Sequence, residues 1–445
     1  MKSSVQCARL ALVVAILGLL GSCRISAQSS HAVPREIDIP DGLGRDICAL
    51  NDVDGDHCAD FALADGTGNA WVVSGKSGKV LVHEDAAPLA LAGLGGDVDG
   101  DGIWDLIAWR PVLPVGARVN STCELGLLSG RTLREIRRCI IPFAHSLANG
   151  SACAAGDWDG DGKPDVAFGI SSTPWGGVLI YSGASGELLH EIRGRDNTGL
   201  GALLACADLD HDGHPEILAG SNPGTGAERN GCMRLFWSGS SRPPQTLTTV
   251  RVKFGVALVL GPAPDVDADG WDDVLAAQLD TSGFEPPEVD AWRGTPREKK
   301  IQRTLQIRSS RTGETVRELA LSEVGQCDAL RTALLDDLDG DGVRELAVAC
   351  DGWPESWVNV YSGKTGSLLC RHVGVRQPAT AANVAQAGSF AVQLAALGDT
   401  DGDGVGDYAI GSSASNDRAG AGCVSVYSGK SGQKLCSIWK RDLFR

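Results

Sequence analysis

A chain of 445 residues can hold two or three average domains or one large repeat array. With 56 acidic against 40 basic residues its net charge is −16, and no basic patch with interleaved aromatics is visible. That excludes a nucleic-acid binder, because phosphate recognition needs clustered Lys and Arg. Fifty-eight glycines with only 5% aromatics suit a turn-rich β protein better than a helical one.

The chain opens with a targeting pattern. Lys2 and Arg9 form a positive region, and Leu10 to Leu20 form an apolar run too short to span a bilayer. We expect a signal peptide over residues 1–27, cleaved after Ala27, then a short linker over 28–34. A rival reading is Leu20-Gly21-Ser22-Cys23, which resembles a bacterial lipobox with Cys23 as a lipidated first residue. Either reading takes the chain out of the cytoplasm, as a secreted or periplasmic protein or an outer-surface lipoprotein. No later apolar run reaches membrane length, so no transmembrane span is expected.

Fourteen cysteines fall to twelve once Cys7 and Cys23 are removed. An even number in an exported chain predicts disulfides. Cys123 and Cys139 flank the Ser129-Gly130-Arg131-Thr132 turn, and Cys423 and Cys436 flank Gly429 to Gly432, as cross-strand pairs would. The alternative is that these are buried thiols.

From residue 35 to 445 one acidic loop recurs seven times. The copies are Asp52-Val-Asp54-Gly-Asp56 with Asp60, and Asp97-Val-Asp99-Gly-Asp101 with Asp105. Next come Asp157-Trp-Asp159-Gly-Asp161 with Asp165, and Asp208-Leu-Asp210-His-Asp212 with Glu216. Asp265-Val-Asp267-Ala-Asp269 with Asp273 and Asp337-Leu-Asp339-Gly-Asp341 with Glu345 follow. The last is Asp399-Thr-Asp401-Gly-Asp403 with Asp407. First aspartates stand 45 to 72 residues apart, the spacing of a supersecondary repeat.

The flanks predict strands. A short β-type run follows each loop, for example Phe61-Ala-Leu63 and Tyr408-Ala-Ile410, and a small-residue apolar run precedes most loops, as in Gly201 to Ala205 and Val256 to Leu260. Each repeat ends in a hairpin pattern, around Ser-Gly-x-Ser/Thr-Gly in Val178 to Leu189 and Val358 to Leu369 and in degenerate form in blades two, four and five, as in Ile307 to Val316. Each unit is therefore four short strands, and radial stacking lets such units cover one another's faces. The expected fold is all-β: a seven-bladed β-propeller of four-stranded antiparallel blades over residues 35–445, with the acidic loop between strands one and two. Glu36 to Pro40 aligns with a fourth strand at the ring seam, yet Lys434 to Ile438 already supplies a last fourth strand, so the mode of closure stays open.

Carboxylates at positions 1, 3, 5 and 9 supply oxygen ligands at the density that calcium takes. These loops hold half of all the acids in the chain, and like charges packed so closely repel without a cation. An EF-hand would need Glu at position 12, where these loops place Leu63, Ala108, Phe168, Ala219, Ala276, Val348 and Ile410. Up to seven calcium ions are expected. The rival is a set of Asp-Gly turns without metal.

The Asp-x-Asp-Gly-Asp-x-x-x-Asp pattern between two strands resembles the FG-GAP repeat, with Phe254-Gly255, Ser389-Phe390 and Gly261-Pro-Ala-Pro264 nearest to its other signatures. That repeat builds the seven-bladed propeller of integrin α subunits. The resemblance implies calcium in the loops and ligand recognition on the opposite face.

The connections between strands two and three vary in length and lie on that opposite face, where binding usually resides. They span Arg110 to Thr122, Ser171 to Gly177, Ser221 to Asn230, Leu279 to Lys300, Asp351 to Ser356 and Ser412 to Gly420. Candidate ligand-binding residues are Trp175, Arg229, Trp292, Trp353 and Arg418; core packing is the alternative for each Trp, and Trp292 could sit in a third strand. His57, His211 and His214 read as solvent-facing spacers. No Gly-x-Ser-x-Gly, His-Glu-x-x-His or zinc-spaced Cys/His cluster appears, so an exported adhesion or recognition module for protein or glycan ligands is expected rather than an enzyme. The alternatives are a lectin and a polysaccharide lyase or hydrolase on the same scaffold.

Overall fold

The computed structural model is an all-β ring of seven four-stranded antiparallel blades. It describes residues 22–27, 38–39 and 46–441, apart from thirteen internal connections and Pro354. The connections are 65–68, 85–89, 113–121, 143–151, 171–175, 195–199, 222–228, 239–242, 253–259, 280–302, 321–325, 376–392 and 413–422. Among the described residues no helix is long and apolar enough to cross a membrane.

Two strands, β1 (Ser22–Ala27) and β2 (Asp38–Ile39), precede the ring. Blade one is β3 (Asp46–Leu50), β4 (Asp60–Ala64), β5 (Ala70–Val73) and β6 (Val80–Glu84). Blade two is β7 (Ala90–Gly96), β8 (Asp105–Val112), β9 (Thr122–Leu128) and β10 (Glu135–Pro142). Blade three is β11 (Ala152–Gly156), β12 (Asp165–Ile170), β13 (Gly177–Tyr181) and β14 (Leu188–Arg193). Blade four is β15 (Leu200–Ala207), β16 (Glu216–Ser221), β17 (Arg229–Phe236) and β18 (Gln245–Val252). Blade five is β19 (Leu260–Ala263), β20 (Asp273–Leu279), β21 (Arg303–Arg308) and β22 (Thr315–Ala320). Blade six is β23 (Gln326–Leu334), β24 (Leu346–Trp353), β25 (Glu355–Tyr361) and β26 (Leu368–Val375). Blade seven is β27 (Gln393–Gly398), β28 (Asp407–Ser412), β29 (Cys423–Tyr427) and β30 (Lys434–Arg441).

The period-two alternation of the strands generates the core. In β4, Phe61 and Leu63 pack toward blade seven while Ala62 and Ala64 pack toward blade two. Both faces of a blade are therefore buried, and seven hydrophobic clusters result, each shared by two adjacent blades. First strands touch their neighbours around the ring, which explains sequences such as Ala-Cys-Ala-Ala-Gly in β11. A Cβ on Gly93 of β7 would stand 2.7 Å from the Ala152 carbonyl oxygen.

Closure differs from the expectation for Glu36 to Pro40. All four strands of blade seven come from the C-terminal end, and β3 packs directly on β27. Ile47, Phe61 and Trp71 share one cluster with Val424, Val426 and Ile438. The Asp38–Ile39 strand instead pairs with β1, and β1 pairs with the outer edge of β30, with Ala27 opposite Cys436. β1 lies within the stretch expected as leader.

Three further expectations change. Asp351 to Ser356 is not an irregular loop, since β24 runs to Trp353 and β25 starts at Glu355. The third strand of blade five is Arg303–Arg308, not the stretch around Trp292. The first strand of that blade is Leu260–Ala263, and most of Val256 to Leu260 lies outside the described residues.

The cysteine pairs are also corrected. Cys139, Cys423 and Cys436 are buried thiols outside any disulfide, so neither flanking pair forms. A bulge at Glu135/Arg137 sets Cys139 opposite Leu125 and Cys123 opposite Ile141. In blade seven Cys436 stands opposite Val426, and Cys423 opposite Trp439. The disulfide that does form joins Cys153 of β11 to Cys206 of β15, tying the first strands of blades three and four. Cys350 is disulfide-bonded as well.

Candidate metal centres on one face of the ring

Each acidic loop is folded by its own first carboxylate. Asp52 accepts the amides of Gly55 at 2.7 Å and Asp56 at 3.0 Å on one oxygen, and that of His57 at 2.8 Å on the other. Asp399 repeats the pattern with Gly402, Asp403 and Gly404 at 2.7, 3.1 and 2.8 Å. Such a wrap turns positions four and six into the left-handed region, where Gly402 and Gly404 have φ of 81° and 86°. His57 (68°), His211 (59°) and Ala268 (59°) occupy the same positions without glycine. The exposed histidines there are backbone-defining as well as solvent-facing, since His enters this region more readily than most residues.

The position-nine acid does a second job. One of its oxygens accepts the amide of position two: Asp60 from Val53 at 2.7 Å, Asp105 from Val98 at 2.7 Å, Asp165 from Trp158 at 2.7 Å and Asp407 from Thr400 at 2.9 Å. Glu216, Asp273 and Glu345 receive Leu209, Val266 and Leu338 in the same way. The other oxygen reaches the strand three–four turn. Asp60 accepts the amide of Gly75 at 2.9 Å, Asp105 of Gly130 at 3.1 Å, Asp165 of Gly183 at 3.0 Å and Asp407 of Gly429 at 2.9 Å. Clamp and turn thus share one face, joined by a buried carboxylate.

The turn glycine follows from the same contact. A Cβ on Gly75, Gly130, Gly183, Gly363 or Gly429 would collide with the carbonyl oxygen of the residue before the position-nine acid. Blade five has Ser310 at that place, and there Asp273 Oδ1 and the Ser310 hydroxyl both lie buried without a hydrogen-bond partner among the described residues.

Burial governs the charge of these acids. It pushes Asp60, Asp105 and Asp407 up to about 6, and Glu216, Asp273 and Glu345 up to about 7, with the loop aspartates adding repulsion. Asp165 is raised for the same reason.

The donors converge. In blade six Asp337, Asp339, Asp341 and Glu345 each place an oxygen within 4.8 Å of the others. Blades one and two gather Asp52, Asp54, Asp56 and Asp97, Asp99, Asp101; blades three and four gather Asp157, Asp159, Asp165 and Asp208, Asp210, Glu216. Asp265 to Asp273 and Asp399 to Asp407 keep the same backbone wrap. All the converging donors are carboxylate oxygens, so the set fits a hard divalent cation such as calcium.

Of the ligand-binding candidates, Arg229 begins β17 and Trp353 ends β24, which puts both on the face opposite the clamps. Trp175, Trp292 and Arg418 lie outside the described residues.

One cluster was not anticipated from sequence. His372 Nε2 and Tyr408 Oη are hydrogen-bonded at 2.7 Å, and Cys370 Sγ lies 3.6 and 3.4 Å from them. The residues come from β26 and β28, and only their pairing across a blade seam brings them together. Burial raises the Cys370 thiol and lowers His372 to about 4, so both are held neutral. That is the opposite of an activated thiolate–imidazolium pair.

Comparison with known proteins matches residues 157–219, clamp three through the second strand of blade four, to the FG-GAP-like repeat. That stretch carries an FG-GAP-like repeat inside a seven-bladed propeller. The chain is 31% identical over 169 residues to phosphatidylinositol-glycan-specific phospholipase D of Bos taurus. That match spans 33% of this chain and 20% of the relative. Among solved structures, BBS1N in its complex with ARL6DN is similar at 12% identity and a TM-score of 0.48, covering 96% of this chain and 98% of that one. The Dos1 propeller is similar at 11% identity and a TM-score of 0.46, covering 96% of each chain.

Proposed function

We propose that this propeller is an exported, calcium-stabilised recognition or adhesion module for a protein or glycan ligand. The observation that carries the reading is the division of the ring into two faces. One face repeats the same clamp in every blade and a short strand three–four turn in the six blades where that turn is described, while the other bears connections of different length and composition. Calcium, when bound, neutralises the clustered carboxylates and rigidifies the loops; the clamps serve the scaffold, and the irregular rim serves the ligand. Arg229 and Trp353 stand at the start of that rim.

Calcium-replete protein on a glycan array and on a panel of extracellular proteins tests the proposal. Saturable binding that Trp353→Ala or Arg229→Ala weakens supports it. The bovine relative is named as a phospholipase D, so hydrolysis of a phosphatidylinositol-glycan substrate or of a polysaccharide would replace recognition with catalysis.

A further inference from the structure

The seven clamps are uniform in their acids but not in the cations that face them. The residue after the turn glycine is Lys76, Arg131, Lys364 and Lys430 in blades one, two, six and seven. Each reaches position five of its own clamp. Lys76 Nζ donates to the Asp56 carbonyl at 2.9 Å, Lys364 Nζ to that of Asp341 at 2.9 Å, and Lys430 Nζ to that of Asp403 at 3.1 Å. Arg131 goes further: its Nε donates to Asp101 Oδ2 at 2.9 Å while Nη2 holds the Asp101 carbonyl at 3.3 Å. The remaining Asp101 oxygen accepts the amide of Ile103 at 2.9 Å, so both carboxylate oxygens are engaged.

Blades three and five lack this contact. Blade three has Ala184 at the turn position. In blade five Arg311 is diverted onto the ring of Trp271, 5.4 Å from its centroid. Asp161 of blade three meets no cation among the described residues, its Oδ1 taking only the amide of Lys163 at 2.8 Å.

We infer that the turn cations grade the metal affinity of the clamps, with the Arg131-held loop of blade two weakest and the Ala184 loop of blade three among the tightest. Two effects act in one direction. A tethered cation offsets carboxylate repulsion in the empty loop, and it repels an incoming divalent ion or must release Asp101 to it. Arg131 is about half exposed, so solvent screens the effect to a modest factor. The inference rests on the calcium reading and says which loops fill first.

Tryptophans inside the clamps make the order measurable. Trp104 is position eight of clamp two and Trp158 is position two of clamp three, so each can sensitise terbium bound in its own loop. The full chain is titrated with terbium, and Trp104→Phe and Trp158→Phe variants identify which part of the emission belongs to which clamp. Arg131→Ala is expected to lower the half-saturation of the Trp104 signal about fivefold, and Ala184→Arg to raise that of the Trp158 signal about fivefold. Terbium binding with both midpoints moved by less than twofold overturns the grading and leaves the metal reading intact. No sensitised emission from either loop overturns both.

Discussion

The backbone amide of Ala59 donates to the carbonyl oxygen of Asp399 at 2.8 Å, joining clamp one to clamp seven across the point where the ring closes. A related bond runs from Asp272 to Leu209 at 2.8 Å between blades five and four. Closure therefore uses the same kind of seam as the rest of the ring, a shared apolar cluster under contacts between neighbouring clamps. Among the described residues the four ring strands of every blade come from one stretch of chain, and β1 and β2 add only to the outer edge of β30.

The seam supplies the first prediction. Phe61 is buried where blade one meets blade seven, so Phe61→Ala removes a large side chain from the closing cluster. It should cost about 3–5 kcal/mol in urea unfolding, against less than about 0.5 kcal/mol for Leu188→Ala on an outer strand, where Leu188 is 50% exposed. Equal costs would mean that the ring does not close through this cluster.

Turn glycines should separate into two kinds. Gly429→Ala drives a methyl into the Gly406 carbonyl oxygen, whereas a Cβ on Gly100 meets open space and carries only the left-handed backbone penalty. The second should cost about 1–2 kcal/mol and the first clearly more in the same assay. Conversely, Ser310→Gly should raise stability by about 1 kcal/mol, because it lets the turn amide reach the unpartnered Asp273 Oδ1.

The pH response should change sign with calcium. In the ion-free protein the folded-state values of Asp60, Glu216, Asp273 and Glu345 lie above their ordinary ones, at about 6 to 7. Groups raised on folding favour the folded state at low pH and lose that contribution as pH rises through the raised value. In chelator, the melting temperature should therefore rise as pH falls from 8 toward 5. With calcium present it should fall over the same range, as protons compete for the ligands. A chelated protein that loses stability on acidification through this window would contradict the burial assigned to these carboxylates.

The Cys153–Cys206 bridge closes a loop of 53 residues between two blades. Its loss in Cys153→Ser should lower stability by about 2–4 kcal/mol, measured by denaturation without reductant. An unchanged midpoint would remove the bridge from the stabilising contacts.

Blade number and strand order were legible in the sequence because every repeat carries acids at positions 1, 3, 5 and 9 and all but blade five carry a Ser-Gly turn as well. The link between those two signals was not. Only the fold shows that Asp407 reaches the amide of Gly429, and hence why a glycine stands there. The Cys123–Cys139 pairing failed for a local reason: the turn sets Glu135 opposite Leu128, one residue away from the register that would pair the cysteines, and the bulge that follows adds a second, so Cys139 faces Leu125. Cys153 and Cys206 both precede clamps in consecutive repeats, which was the available sign of their pairing. The Cys370–His372–Tyr408 group left no sequence signal, because its members meet only across packed blades.

Calorimetric unfolding of the full chain in calcium and in excess chelator tests the central claim most directly. Ions that bind only the folded clamps should raise the melting temperature in proportion to the logarithm of calcium concentration, with several ions bound per chain. A melting temperature that is the same in calcium and in chelator would contradict the account, and the clamps would then be acidic turns without a metal role.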